Sequence, residues 1–226
     1  MTNNAIIKDT SPTPDAAVIW MHGLGADGSD FLPIVNELEI DDLQLRFVFP
    51  NAPYRAVTIN QGMHMPAWYD LRKAQFTQDE DRDGIKESRQ RISAIIDTMN
   101  QQGIASNRIV LAGFSQGGAM ALYCGLRHHE RLAGILALSS YLPLAENIAA
   151  EATPENKETP IMMAQGLYDS VVPHATAFRS LQQLQKLGYN VAWHEYPMEH
   201  TVVRDEIQDI GKWLRQTLEH AKADAQ

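Results

Sequence analysis

The chain has 226 residues, room for one α/β domain with a sizeable core, and 44% of its residues are hydrophobic. With 28 acidic residues against 19 basic ones, its formal net charge is −9, and no Lys/Arg cluster offsets it, which argues against a nucleic-acid partner. A single cysteine, Cys124, excludes an intrachain disulfide. The N-terminal stretch has no apolar run long enough for a signal peptide, and no segment approaches the ~20 apolar residues of a membrane helix. The expectation is a soluble, cytoplasmic protein without stable membrane insertion, forming one domain over residues 1–226 with about ten N-terminal and six C-terminal residues frayed.

In chain order, short and almost continuous apolar runs mark strands at Ala16–Met21, Leu45–Phe49, Ile109–Phe114, Gly134–Leu138 and Ile161–Ala164. Runs without polar alternation suit strands covered on both faces, as in a parallel sheet. A sixth run, Val191–Tyr196, mixes polar and apolar residues and suits a place nearer an edge. Between these runs, Ile85, Ile92, Ile96 and Met99 share one helical face. Phe178 and Leu181 mark a second helix, with Gly188 as its left-handed cap. Val203, Ile207, Ile210 and Leu214 mark a last one. This alternation predicts an α/β fold with a mostly parallel central sheet and helices on both faces. Residues 51–82 read as a long connection and 140–160 as a surface excursion, too short for a large cap domain.

Gly113-Phe114-Ser115-Gln116-Gly117 matches G-x-S-x-G and lies between a predicted strand and a predicted helix, as a nucleophile elbow requires. The elbow lifts the serine hydroxyl out of the sheet, and a Cβ at Gly113 or Gly117 would crowd the turn. An oxyanion hole in such a site takes the N–H of the residue after the nucleophile, Gln116, and one from the loop after an earlier strand. His22-Gly23-Leu24-Gly25 supplies that loop and places the second donor at Leu24; His22 itself reads as a structural hydrogen-bonding residue.

The acid belongs on a loop past a later strand, and Asp169 follows the run at Ile161–Ala164. Of the histidines beyond it, His174 sits at a helix start, His194 in a strand and His220 in the tail. His200 sits in the loop before the last helix and is the candidate base. The adjacent His128 and His129 chelate poorly, and the chain has no zinc spacing, so no metal is expected. Cys124 reads as a small buried apolar side chain.

These residues together resemble the phospholipase/carboxylesterase family of small carboxylesterases and acyl-protein thioesterases. The resemblance runs from about Ala16 to Leu218. It rests on His22-Gly-Leu-Gly-Ala-Asp-Gly, Pro50-Asn-Ala-Pro, Met65-Pro-Ala-Trp-Tyr-Asp, Gly113-Phe-Ser-Gln-Gly-Gly and Gly166-Leu-Tyr-Asp-Ser-Val-Val-Pro. It implies an α/β-hydrolase without a large cap, hydrolysing carboxylic esters or thioesters with no cofactor. It assigns nucleophile, acid and base to Ser115, Asp169 and His200, and oxyanion donors to Leu24 and Gln116. It also implies that Trp68 and the loop from Met63 to Leu71 help wall the acyl site, whereas the residues alone allow Trp68 equally to be a core aromatic. Met63, Met65, Trp68, Leu71 and Leu167 are the candidate acyl contacts. Many members form homodimers. Small esters, S-acylated proteins and lysophospholipids all suit the same catalytic parts. A lipase, an acyl-peptidase and a non-catalytic binding protein on the same scaffold are the rival readings.

Overall fold

The computed structural model describes residues 5–223, with side chains to Ala221. Seven strands form one sheet: β1 (Ala5–Asp9), β2 (Ala16–Met21), β3 (Leu45–Pro50), β6 (Ile109–Phe114), β7 (Gly134–Leu138), β8 (Ile161–Gly166) and β9 (Val191–Tyr196). Their order across the sheet is β1-β3-β2-β6-β7-β8-β9. Only β1 runs antiparallel, pairing Ala5 with Pro50 and Asp9 with Arg46 on β3. Every other neighbouring pair is parallel. The mostly parallel sheet is what the apolar runs predict, and its arrangement is the α/β-hydrolase fold that the resemblance implies.

The reason those runs lack polar alternation is visible in β2. Ala17, Ile19 and Met21 enter one core, while Ala16, Val18 and Trp20 enter the other. The first core packs against helices α1 (Arg82–Gln101), α2 (Gln116–Gly125) and α4 (His174–Lys186), through residues such as Ile92, Met120 and Leu184. The second packs against α5 (Arg204–Ala223) through Ile207, Ile210 and Leu214. Helices on both faces bury both sides of the central strands, so almost every side chain along them is apolar. Gly188, at φ 78°, ends α4, where the Gly188 and Tyr189 N–H groups bond back to Gln185 and Leu184.

Several details depart from the expectation. The N-terminus is not frayed to residue ten, because β1 completes the edge of the sheet; α5 likewise continues through Ala223. Residues 1–4 and 224–226 lie outside the described residues. Phe178 does not share the buried face of α4, which is made by Ala177, Ser180, Leu181 and Leu184; it is exposed and stacks on His174. The 51–82 connection is not featureless. It carries an antiparallel ribbon of β4 (Tyr54–Val57) and β5 (Met63–Pro66), turned by Gln61 and Gly62 at φ 58° and 76°. Residues 140–160 hold only a short helix, α3 (Ile148–Glu151), and short 3-10 turns. Among the described residues, no helix is long and apolar enough to cross a membrane.

Candidate active site

Strand β6 delivers its last residues to a sharp turn. Ser115 stands between β6 and α2 with φ 55° and ψ −120°, a conformation that non-glycine residues rarely adopt. Its N–H is tied to the Leu138 carbonyl at 2.8 Å and its carbonyl accepts the Ala119 N–H at 3.0 Å, so strand and helix both hold the strain. A Cβ on Gly117 would overlap the Met21 and His22 carbonyls, and one on Gly113 would overlap Gly117. The serine is half-buried at the C-terminal end of the central strands. The Gln116 N–H, first in α2, has no acceptor within its own helix and lies at the positive end of the helix dipole.

The loop after β2 lies against this elbow. A Cβ on Gly23 would sit 3.5 Å from the Ser115 Cβ. On either side of Leu24 the backbone is pinned: the Gly25 N–H donates to Pro66 and the Ala26 N–H to Gly23. His22 is buried. Its Nε2 accepts the Ala52 N–H at 3.0 Å, so Nδ1 carries the proton and meets the Gly23 carbonyl at 2.7 Å. Burial lowers its pKa, and the Gly23 hydrogen bond opposes this only in part. This neutral ring organises the loop, in keeping with a structural role.

Asp169 and His200 arrive from the ends of β8 and β9. His200 Nδ1 meets Asp169 Oδ2 at 2.7 Å. The other carboxylate oxygen, Oδ1, accepts the Val171 and Val172 N–H groups at 2.8 Å each. The acid side chain is fully buried and the imidazole 17% exposed. With Nδ1 engaged, Nε2 is left to accept a proton. The Phe114 ring, one residue before the serine, lies 4.7 Å from the His200 ring between centroids. The imidazole is thus braced by the elbow's own strand end. A serine on a strained turn, backbone donors beside it and a carboxylate-oriented imidazole can together perform nucleophilic acyl transfer.

The candidate acyl contacts divide. Met63, 64% exposed on β5, and Leu167, 46% exposed on the acid loop, offer apolar surface to a ligand. Met65 is half-buried, with its sulfur 3.6 Å from where a Gly25 Cβ would be, and packs with Leu24 and Leu71 in a small cluster. Trp68 and Leu71, by contrast, are buried. Trp68 faces the core, its indole N–H donating to the His22 carbonyl at 2.9 Å, so it supports the wall from behind and offers no ring face to an acyl chain.

Two glutamines escape a reading of motifs. The Gln116 side chain accepts the Trp68 N–H and donates to the Tyr69 carbonyl, both at 2.8 Å, clamping the Trp68-Tyr69 backbone to the elbow. Gln165, at the end of β8, donates to Asp169. Neither role has a local sequence signal, since each joins residues from different strands or loops. Cys124 is buried, and burial pushes its thiol up to about 12, which leaves it inert. Among the described residues, no group of three or more His, Cys, Asp or Glu side chains is placed to hold a metal ion.

The sequence profile of the phospholipase/carboxylesterase family matches residues 1–218. An acyl-protein thioesterase 1 from Gibberella zeae is 38% identical over 215 residues, covering 90% of this chain and 91% of that protein. Among solved structures, Arabidopsis thaliana SOBER1 superposes with a TM-score of 0.85 at 28% identity, over 90% of this chain and 99% of that one. Zea mays acyl-protein thioesterase 2 does so with a TM-score of 0.84 at 26% identity, over 95% and 99%.

Proposed function

The chain belongs to the phospholipase/carboxylesterase family and is an ester or thioester hydrolase, and from that premise we propose that Ser115, His200 and Asp169 perform the hydrolysis through an acyl-enzyme. The observation that carries this reading is the 2.7 Å bond from His200 Nδ1 to a fully buried Asp169, beside a serine held at φ 55°. His200 Nε2 takes the Ser115 proton as Oγ attacks the acyl carbonyl. The Leu24 and Gln116 N–H groups receive the oxyanion. His200 then returns the proton to the departing alcohol or thiol. Water, deprotonated by the same nitrogen, releases the acid and restores the serine.

The substrate is a small ester or an acylated protein with an apolar acyl group. The relatives that are acyl-protein thioesterases favour a protein thioester. Two exposed apolar side chains, Met63 on the ribbon and Leu167 on the acid loop, support the apolar acyl chain. No cofactor or metal enters the mechanism.

A fluorophosphonate should add once per chain, and intact mass after proteolysis should place the adduct on Ser115. Ser115→Ala should remove both labelling and hydrolysis of matched ester and thioester substrates. Labelling of that variant at the wild-type rate would show that another residue is the nucleophile.

A further inference from the structure

Ser115, His200 and the backbone donors explain the chemistry, but they leave open what holds the acid still. Asp169 sits on a loop, and its carboxylate can swing about two side-chain torsions. Its Oδ1 is fixed by two backbone N–H groups from within the same loop. Bonds inside one loop fix the loop's shape and do not fix its place on the sheet.

Gln165 ties the carboxylate itself to the sheet. It is the fifth residue of β8, fully buried, and paired in register with Glu195 of β9. Its Nε2 donates to Asp169 Oδ2 at 3.1 Å and to the Val172 carbonyl at 2.9 Å. Both amide protons are therefore committed, one to the carboxylate and one to the far end of the acid loop. Only a primary amide in this orientation can do so, because a carboxylate has no proton to give. The oxygen that Gln165 engages is the one that receives His200 Nδ1. The next residue completes the arrangement on the base's side. A Cβ on Gly166 would lie 2.5 Å from the Met198 carbonyl and 2.6 Å from the Glu199 carbonyl, so the glycine lets the loop before His200 close on the strand. Leu167 and Tyr168 then donate their N–H groups to the Tyr196 and Met198 carbonyls.

We infer that Gln165 is a positioning residue for hydrolysis, anchoring the shared Asp169 oxygen to strand β8 so that the carboxylate keeps the orientation His200 needs. This rests on the reading of Asp169 and His200 as acid and base. Gln165 touches neither substrate nor reacting atoms; it acts through Asp169. Its N–H also draws charge from Oδ2, moderating the pull of the carboxylate on the imidazole proton. Without it, the carboxylate would be both looser and a stronger acceptor toward His200. A charged imidazole is then favoured, and the kinetics must show this as well as a slower turnover.

The test compares wild type with Gln165→Met, similar in length but without a donor, and Gln165→Glu, similar in shape with a carboxylate at that place. Loss of a hydrogen bond to a charged group predicts a fall in kcat/KM of about 10-fold to 100-fold in Gln165→Met, carried by kcat with KM little changed. Its acid limb of kcat/KM against pH should move to higher pH. Gln165→Glu should fall further, since it sets two carboxylates side by side. A role in folding alone would lower the yield or Tm and leave the acid limb in place, and that result would overturn the inference. Should neither variant fold, the wild type still decides. Phosphonylation of Ser115 changes the charge state available to His200, so the Gln165 side-chain amide resonance must shift on labelling; an unmoved resonance overturns the inference. Asp169→Asn separates the two readings. If it too retains near-wild-type activity, the acid assignment fails, whereas a large loss there with an unchanged Gln165→Met profile defeats the Gln165 inference alone.

Discussion

The two sides of the candidate site are built differently. On one side, the loops after β8 and β9 are crossed by bonds from several elements. Asp169 alone receives His200, Gln165, Val171 and Val172. On the other side, the β4–β5 ribbon stands apart from the main sheet. Its bonds run mainly within its own connection: Ala67 to Pro53 and the Arg55 Nε to the Ala67 carbonyl at the base, and Thr58 to the Asp70 carboxylate and Ile59 to Leu71 at the tip, with Gly25 to Pro66 as the tie to the loop after β2. Its tip presents exposed Ile59 and Met63. On the mechanism proposed above, the contrast is a division of labour: the groups proposed to pass the proton are locked to the sheet, while the wall proposed to meet a variable acyl chain is a two-stranded ribbon, marginal by itself. The clamp from Gln116 to the Trp68-Tyr69 backbone is where the two regimes join.

The largest effect that sharpens this contrast is expected from Asp169→Asn. The amide keeps the shape of the loop but presents the wrong partner to His200 Nδ1, and kcat should fall by up to about 10⁴-fold if the coupling resembles that of serine proteases. Changes at the ribbon tip should leave kcat on a short ester almost untouched. Activity of Asp169→Asn within about threefold of wild type would erase the distinction and point to another acid.

A second test probes the locked side through its foundation. Glu206 opens α5, directly after the His200 loop; it is fully buried, and neither carboxyl oxygen has a hydrogen-bond partner. Burial pushes its carboxyl up to about 8, opposed by the nearby Val203 N–H, which lies outside hydrogen-bond geometry. The folded state therefore holds a proton that the unfolded chain gives up near its ordinary value of 4.5. Its stabilising contribution is complete below that value and is lost as pH rises through about 8. Glu206→Gln should leave stability at pH 5 near that of wild type. At pH 9, with the shift from 4.5 to about 8 counted at about 1.36 kcal/mol per pH unit, it should be more stable by about 4 kcal/mol, roughly 8–16 °C in Tm for a chain of this size. Equal Tm differences at both pH values would show that the carboxyl stays charged in the fold.

Legibility in the sequence follows the same division. The strands of the central sheet were readable because burial on two faces leaves uninterrupted apolar runs, as in Ala16–Met21. The elbow was readable because its glycines and serine are contiguous. The ribbon was not: β4 and β5 are four residues each, largely exposed and bounded by Pro53 and Pro66, so burial imposes no clear pattern. Gly62 was its one local signal: the connection over residues 58–62 closes on two left-handed residues, Gln61 and Gly62. β1 is hard to read because its three apolar residues, Ala5, Ile6 and Ile7, make too short a run, and as an edge strand it leaves Ile7 and Asp9 exposed. Gln165 and Gln116 are out of reach: the partners of Gln165 lie only four and seven residues on and those of Gln116 in a distant connection, but in each case the fold of a loop, which no pattern in the neighbours encodes, brings the amide to them.

The smallest expected effect tests the ribbon itself. Met63 lies on β5 opposite Val57, whose side chain is buried while that of Met63 is 64% exposed. Little of the folded protein rests on it, so Met63→Ser should change stability by no more than about 0.5 kcal/mol, the narrow range of surface substitutions. If an acyl chain lies along the ribbon, the methionine gains burial only when that chain is long enough to reach it. One methylene in an apolar contact is worth on the order of tenfold at the lower end, and a partly exposed wall recovers a fraction of that. Met63→Ser should therefore reduce kcat/KM on a long-chain thioester by about twofold to tenfold while a two-carbon ester is hydrolysed at the wild-type rate. Leu167→Ser, on the opposite loop, is the matched control, because Leu167 is also exposed but joined to β9 through its N–H bond to Tyr196. A chain-length profile altered by Leu167→Ser and untouched by Met63→Ser would place the acyl chain on the locked side. The ribbon would then face the leaving group, and the contrast between the two walls would have to be drawn the other way round.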